Sequence, residues 1–404
     1  MKKSAACLFV IVASLYGCTP EAPPAHSPHE ESNTDLGRQQ APAPITVPTL
    51  QPSGISPLGR AVLKFADQQF GIACPTIQAL RTDISGFLVA PSDARLKVAR
   101  DAWVNARNAV IGIHFFRYFP LADPAFAVFF PSPNDPDETD SLNVWAFIDT
   151  FPLTGGYLDR LEEYPYSGLA YSDTPLTESF LLSEYQFSDP RYVTLGLSPM
   201  EFMLWGEKGL RSAADYLPSP QLPEEEQRAA KRRSTLLEVQ TNTLARHMAL
   251  LCQSWQSDEG FSRQQWKSRP VAQHAQWAVK MMKGFFLYEF SQWLSVQPSE
   301  GIIYQPRAPF SRSSPQAIGA LSELIRQWRT MPEVADLIAQ TNGGSEFESD
   351  ALLNELETQM GAFSKEQSSA PATEEQITRS KHLLRIQQLS TQMVQRLNQW
   401  RPHL

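Results

Sequence analysis

Residues 93–118 read DARLKVARDAWVNARNAVIGIHFFRY, and their spacing decides the fold class. Leu96, Ala99, Ala106, Ile113 and Phe116 recur at helical intervals and form one apolar face. Ser92 precedes the first periodic residue, where its hydroxyl can cap a helix starting at Asp93. A second stripe runs beside the apolar face: Trp103, Arg107, Val110, His114 and Arg117, separated by four, three, four and three positions. Two arginines and a histidine bordered by Trp and Val are unlike a solvated face. They suit an anion, or a carboxylate-ligated metal with His114 as ligand. Equally, the arginines can pair with carboxylates of a neighbouring helix, with His114 a satisfied interior residue.

The same period continues outward. Leu58 to Arg81 is apolar at Val62, Leu63, Phe65, Ala66, Phe70, Ile77 and Leu80, with Pro75 as a candidate break. Glu224 to Gln256, Ala272 to Ser295, Ser314 to Thr330, Glu333 to Gln340, Asp350 to Met360 and Glu374 to Trp400 complete the set. Alternating β-branched runs are scarce, so the expected fold is all-α. Residues 131–140 (acidic, broken by proline), 342–344 (Asn-Gly-Gly) and 364–373 read as connections. A helix carrying Cys74 precedes one carrying Trp103, and a helix carrying Cys252 precedes one carrying Trp277. This faint echo suggests two related helical bundles, at about 57–220 and 221–400.

The amino terminus points to export. Lys2 and Lys3 precede an apolar run from Ala5 to Tyr16, too short to span a bilayer but suited to a signal peptide. Leu15-Tyr16-Gly17-Cys18 resembles the lipobox of bacterial lipoproteins. The expectation is a signal at residues 1–17 and a membrane anchor through lipidated Cys18. Thr19, where inner-membrane lipoproteins often have Asp, favours the outer membrane, facing the periplasm. Residues 18–56, rich in Pro, Ala, Ser and Glu, read as a disordered tether before a helical domain at 57–400. The net charge of −8 argues against a nucleic-acid partner. Of the four cysteines, Cys74 and Cys252 remain after export. An oxidising compartment permits a disulfide between them, and their apolar helical settings equally permit two buried thiols.

Further stretches bear on chemistry. Residues 195–206 read LGLSPMEFMLWG, where Ser198 as N-cap, Pro199 at N1 and Glu201 at N3 fit a capping box. Residues 151–159, FPLTGGYLD, read as a turn with an aromatic anchor, and residues 309–314, PFSRSS, as a connector into a capped helix.

Together with Ala102-Trp103-Val104-Asn105-Ala106-Arg107, these stretches resemble the imelysin family of proposed peptidases. Its members are helical cell-envelope proteins, many of them iron-regulated, and related to the metal-binding domain of a periplasmic ferrous-iron uptake component. The Phe151-Pro152-Leu153 turn with Tyr157 and Asp159 matches the family's Trp-Pro-Leu-like turn, with Phe for Trp, and Pro309-Phe310-Ser311 matches its late Phe-Ser loop. The departures bear on chemistry. The family's Gly-x-His-x-x-Glu pattern falls on Gly196, Ser198 and Glu201, so Ser198 stands in place of the histidine. A hydroxyl does not replace imidazole as a neutral ligand or general base. His114, conversely, stands where the family's helix usually has a carboxylate.

The resemblance implies a lipoprotein serving iron, other divalent metal or haem acquisition. It would bind metal or a partner in a cleft between the bundles, with envelope iron-uptake or redox proteins as partners. His114 and Glu201 are the candidate iron ligands, with Arg107, Arg117, Ser198, Asp159 and Ser311 lining the cleft. The alternatives are a metallopeptidase with an altered centre and a scaffold with a degenerate site. No His-Glu-x-x-His occurs, and Ser198 is not in a Gly-x-Ser-x-Gly elbow, so the expectation leans away from an enzyme.

Overall fold

A computed structural model describes residues 54–123, 144–297, 301–304, 306–341, 349–369 and 380–400. The signal, Cys18, nearly all of the tether, and the loops at 131–140 and 342–344 lie outside these residues. The described residues fall in one unit, Leu50–Leu404.

α1 (Pro57–Val89) begins at Ser56, whose Oγ accepts the Gly59 N–H, with Pro57 preset for the first turn. It buries Val62, Phe65, Phe70, Ile77, Ile84 and Phe87. The helix passes through Pro75 and runs beyond the expected Arg81. Pro75 and Gly71, four residues earlier, are both exposed, so the carbonyl that loses its partner faces water. α1 packs along α2 (Asp93–Ile111) and α5 (Glu224–Gln256). A Cys74–Cys252 disulfide joins α1 to α5, with Cα atoms 6.2 Å apart, which resolves the thiol alternative.

Ser92 caps α2 as expected. The long helix expected to Tyr118, however, ends at Ile111, and a 3₁₀ segment follows from His114 to Leu121. Gly112 marks the change: a Cβ there would stand 2.6 Å from Gln69 Oε1 of α1. His114 and Arg117 therefore lie beyond the α-helical stripe on which spacing alone placed them.

The chain continues through α3 (Glu178–Ser183), α4 (Leu197–Trp205), α6 (Phe261–Lys267) and α7 (Val271–Gly284). The helix expected to Ser295 changes to a π-turn at Phe285–Glu289, then a short α8 (Phe290–Trp293). A small antiparallel hairpin follows, β1 (Leu294–Gln297) and β2 (Gly301–Tyr304), pairing Leu294 with Tyr304. Val296, Ile302, Ile303 and Tyr304 are of the β-branched and aromatic types that such a ladder favours. α9 (Ser314–Arg329), α10 (Pro332–Gln340), α11 (Ser349–Ser369) and α12 (Lys381–Gln399) close the fold. α11 runs through residues 364–369, which the sequence assigned to a loop. α9 packs on α11, and α11 on α12. The fold is all-α apart from the hairpin. Among the described residues no helix is long and apolar enough to cross a membrane.

Candidate functional site

Two buried polar centres are built from the residues that the sequence singled out. The first lies where α2, the 3₁₀ segment, the loop before the cis Phe151–Pro152 peptide, and the π-turn meet. Arg107 and His114 are essentially unexposed there. His114 Nε2 is 3.5 Å from Asp149 Oδ2, and its Nδ1 is 3.1 Å from Glu289 Oε1. Arg307 bridges the same carboxylates: Nη1 donates to Glu289 Oε1 at 2.7 Å and Nη2 to Asp149 Oδ2 at 3.0 Å. Arg107 Nη1 lies 3.6 Å from Asp149 Oδ1, and the Tyr118 hydroxyl donates to Glu289 Oε2 at 2.9 Å. Arg117 acts on Glu289 through its charge.

The electrostatics follow from this packing. Burial would raise Asp149, but Arg307, Arg107 and His114 hold it well below the ordinary carboxylate range. Burial is likewise overcome at Glu289, which His114 and Arg307 hold low. For His114, burial favours the neutral ring, yet the flanking Glu289 and Asp149 raise its pKa.

Glu201 sits beside this centre. α4 starts at Leu197, with Gly196 before it in a left-handed conformation (φ 101°), where a Cβ would meet Ile148 O at 2.8 Å. The helix thus begins before Ser198, and the expected capping box is not formed. Ser198 is buried in the first turn, its Oγ without a hydrogen bond. Glu201 reaches instead to the loop before α9: Oε1 accepts the Ser311 N–H at 2.7 Å and the Ser311 hydroxyl at 2.6 Å. Ser311 Oγ also contacts Ser313 Oγ at 2.7 Å. Burial pushes Glu201 up to about 7, against the Ser311 hydrogen bonds and the charge of Arg107. The Trp103 indole N–H donates to Leu197 O at 2.9 Å and fixes α2 against the start of α4.

Asp159 belongs to the second centre. It accepts from Arg233 Nε at 2.7 Å and Nη2 at 3.1 Å and from the Arg160 N–H at 2.8 Å, and pairs with Arg211 Nη1 at 2.7 Å. Burial would raise it, but Arg211 and Arg233 keep it below its ordinary value.

The structure therefore joins Arg107 and His114 through Asp149, and Glu201 to Ser311, and places Asp159 in a separate ion-pair network. His114 is engaged by Asp149 and Glu289, and Glu201 by Ser311. Arg307 already neutralises the carboxylates that flank His114, so a resident divalent ion would stand against a guanidinium. This donor set does not fit a metal centre. Among the described residues no group of His, Cys, Asp and Glu is arranged to hold a metal.

Asp149, Glu289, Arg307 and Tyr118 were not foreseen. Asp149 and Arg307 each stand two residues before a quoted stretch, and Glu289 is a lone carboxylate among Phe285, Phe286, Tyr288 and Phe290. A single charge in an apolar run was the available signal.

Comparison with known proteins adds the family. No curated protein matches the chain. An imelysin-like protein from Psychrobacter arcticum 273-4 shares the fold, with a TM-score of 0.51 at 14% identity, covering 86% of this chain and 95% of that one. Residues 68–399 match the family described as Imelysin, and the chain belongs to that family.

Proposed function

We propose that this protein is a lipid-anchored binding protein of the outer membrane, facing the periplasm and serving iron or haem acquisition, rather than a peptidase. One observation carries the reading. The polar centre on the imelysin motifs is closed and self-neutralised, with Arg107, His114, Asp149, Glu201, Glu289 and Arg307 at no more than 1% exposure. A metallopeptidase needs about three protein ligands and an open coordination position, whereas His114 is held between Asp149 and Glu289, and Glu201 is buried with Oε1 engaged by Ser311. Iron, another divalent metal or haem is then the cargo of the pathway, passed by or to an envelope partner, rather than a resident ion.

A second reading has one observation in its favour. Ser311 Oγ is hydrogen-bonded at 2.6 Å to Glu201, a carboxylate raised to about 7, which is the geometry of a nucleophile beside its base. Against it, the Ser311 backbone N–H donates to the same oxygen, as in a loop staple.

Anaerobic loading with Fe(II), or with Zn(II), followed by elemental analysis separates these. Substoichiometric metal and no hydrolysis of a denatured protein substrate are expected. Stoichiometric metal lost in both His114→Ala and Glu201→Gln would instead establish a resident metal. Hydrolysis lost in Ser311→Ala would establish the enzyme. Labelling with a radioactive fatty acid, abolished by Cys18→Ser, checks the anchor.

A further inference from the structure

We propose that the junction of α2 and α4 binds a small carboxylate bearing a hydroxyl or N–H on the adjacent carbon, gripped by Arg107. The inference rests on the reading of the chain as a binding protein rather than a peptidase, and names a ligand class for it.

Arg107 is 1% exposed, yet its Nε, Nη1 and Nη2 make no hydrogen bond. Asp149 balances the charge from 3.6 Å, beyond the distance of a good hydrogen bond. Ser198 Oγ and Glu201 Oε2 are also buried without a hydrogen-bond partner. These atoms belong together. Trp103, one turn before Arg107, is tied to Leu197 O, Ser198 and Glu201 are three apart in α4, and the charges of Arg107 and Glu201 act on each other. Buried polar groups in native proteins are overwhelmingly hydrogen-bonded, so five orphaned atoms in one place need an account.

The chemistry of the set selects the ligand. A guanidinium presents a planar fork that matches two coplanar oxygens. The Ser198 hydroxyl adds another donor. Four of the five atoms can donate, which suits an oxyanion. Asp149 Oδ1, a further buried acceptor without a hydrogen bond, balances the charge of Arg107 from 3.6 Å. Glu201 Oε2 can accept from a group next to the carboxylate, while Oε1 stays with Ser311. The half-buried Ser311 turn, whose Arg312 has φ of 58°, lies over Glu201 and is the side from which a ligand would enter.

The test is calorimetric titration of the full mature chain with glycolate, acetate and inorganic phosphate. Glycolate should bind in the millimolar range or tighter, at least threefold tighter than acetate and phosphate. Arg107→Lys, which keeps the charge and loses the fork, should weaken glycolate at least tenfold. Ser198→Ala should weaken it threefold or more, and this small change serves if the arginine variant does not fold. Glu201→Gln, which replaces the acceptor with an amide N–H, should erase the preference for glycolate over acetate. Phosphate binding tighter than both, or no binding of any of the three, would overturn the proposal. A hydrolysis assay on the same preparation keeps the outcomes distinct. Hydrolysis lost in Ser311→Ala overturns the binding-protein reading, whereas no hydrolysis with no carboxylate binding overturns this inference alone.

Discussion

Ser311 donates twice to a single oxygen of Glu201, from its hydroxyl at 2.6 Å and from its backbone N–H at 2.7 Å. The carboxylate therefore holds the loop before α9 as well as marking the start of α4. Glu201→Leu takes the acceptor from both Ser311 donors, leaving the hydroxyl only Ser313 Oγ, and should lower stability by about 1–3 kcal/mol, whereas Glu201→Gln keeps an acceptor oxygen and should lower it less. Urea unfolding of the two variants checks this ordering. Equal losses would show that the Ser311 contacts contribute nothing.

The titration of this region sets a direction for stability against pH. Glu201 is raised from 4.5 to about 7, so between those values the folded protein binds more protons than the unfolded chain, and stability falls as pH rises. His114, raised above 6.5, contributes stability that is complete below 6.5 and is lost as pH climbs through its folded value. Asp149 and Glu289 are lowered from 3.8 and 4.5, and their contribution disappears only as pH falls below that range. His247, lowered by burial to about 4, and His274, also lowered, act the other way below 6.5, so the Glu201 contribution is read as a difference between two proteins. The stability of the wild type relative to Glu201→Gln should fall from pH 5 to pH 8, by about 3 kcal/mol at most. A difference in urea midpoint that rises over this interval contradicts the assignment.

Arg307 bridges Asp149 and Glu289. Its replacement by Met removes the shared guanidinium from two buried carboxylates, leaving Asp149 to Arg107 and His114 and Glu289 to His114 and Tyr118, a change expected to remove about 3–5 kcal/mol. Adding Glu289→Gln to Arg307→Met should recover part of that loss, because one buried charge is then gone. Denaturant midpoints of the single and double variants decide it, and a double variant no more stable than the single one would show that the pairing does not act as described.

The Cys74–Cys252 disulfide closes a separation of 178 residues. The chain-entropy account gives such a closure about 5 kcal/mol. Reduction, or Cys74→Ser with Cys252→Ser, should shift the urea midpoint down by a corresponding amount. A reduced protein as stable as the oxidised one would leave the cross-link without a stabilising role.

Much of the fold was legible because its signals are local. The periodicity of residues 224–256 bounded α5 as observed, and Ser92 capped α2 as its position suggested. The misreadings share a physical origin in tertiary contact. At Gly112, where α2 gives way to the 3₁₀ segment, Gln69 of α1 leaves no room for a Cβ, and Gly196, at the start of α4, takes a positive φ with its backbone close against Ile148. For the candidate site, the sequence singled out Arg107, His114, Glu201, Ser198, Ser311 and Asp159, and each of these is buried or half-buried. The partners of His114 were not foreseen: nothing near His114 in the chain indicates that Glu289, carried inward by a π-turn, stands beside it. The Cys74–Cys252 pairing stayed open for the same reason.

The cross-link between α1 and α5 also governs how the molecule withstands damage. Residues 74 and 252 are covalently joined, so a protease that cuts once anywhere between them produces no separate fragments. The chain would still migrate as a single species without reductant and divide only when the bond is reduced. A protein working in a compartment with active proteases thereby keeps both ends of that segment attached to one body after its first cut.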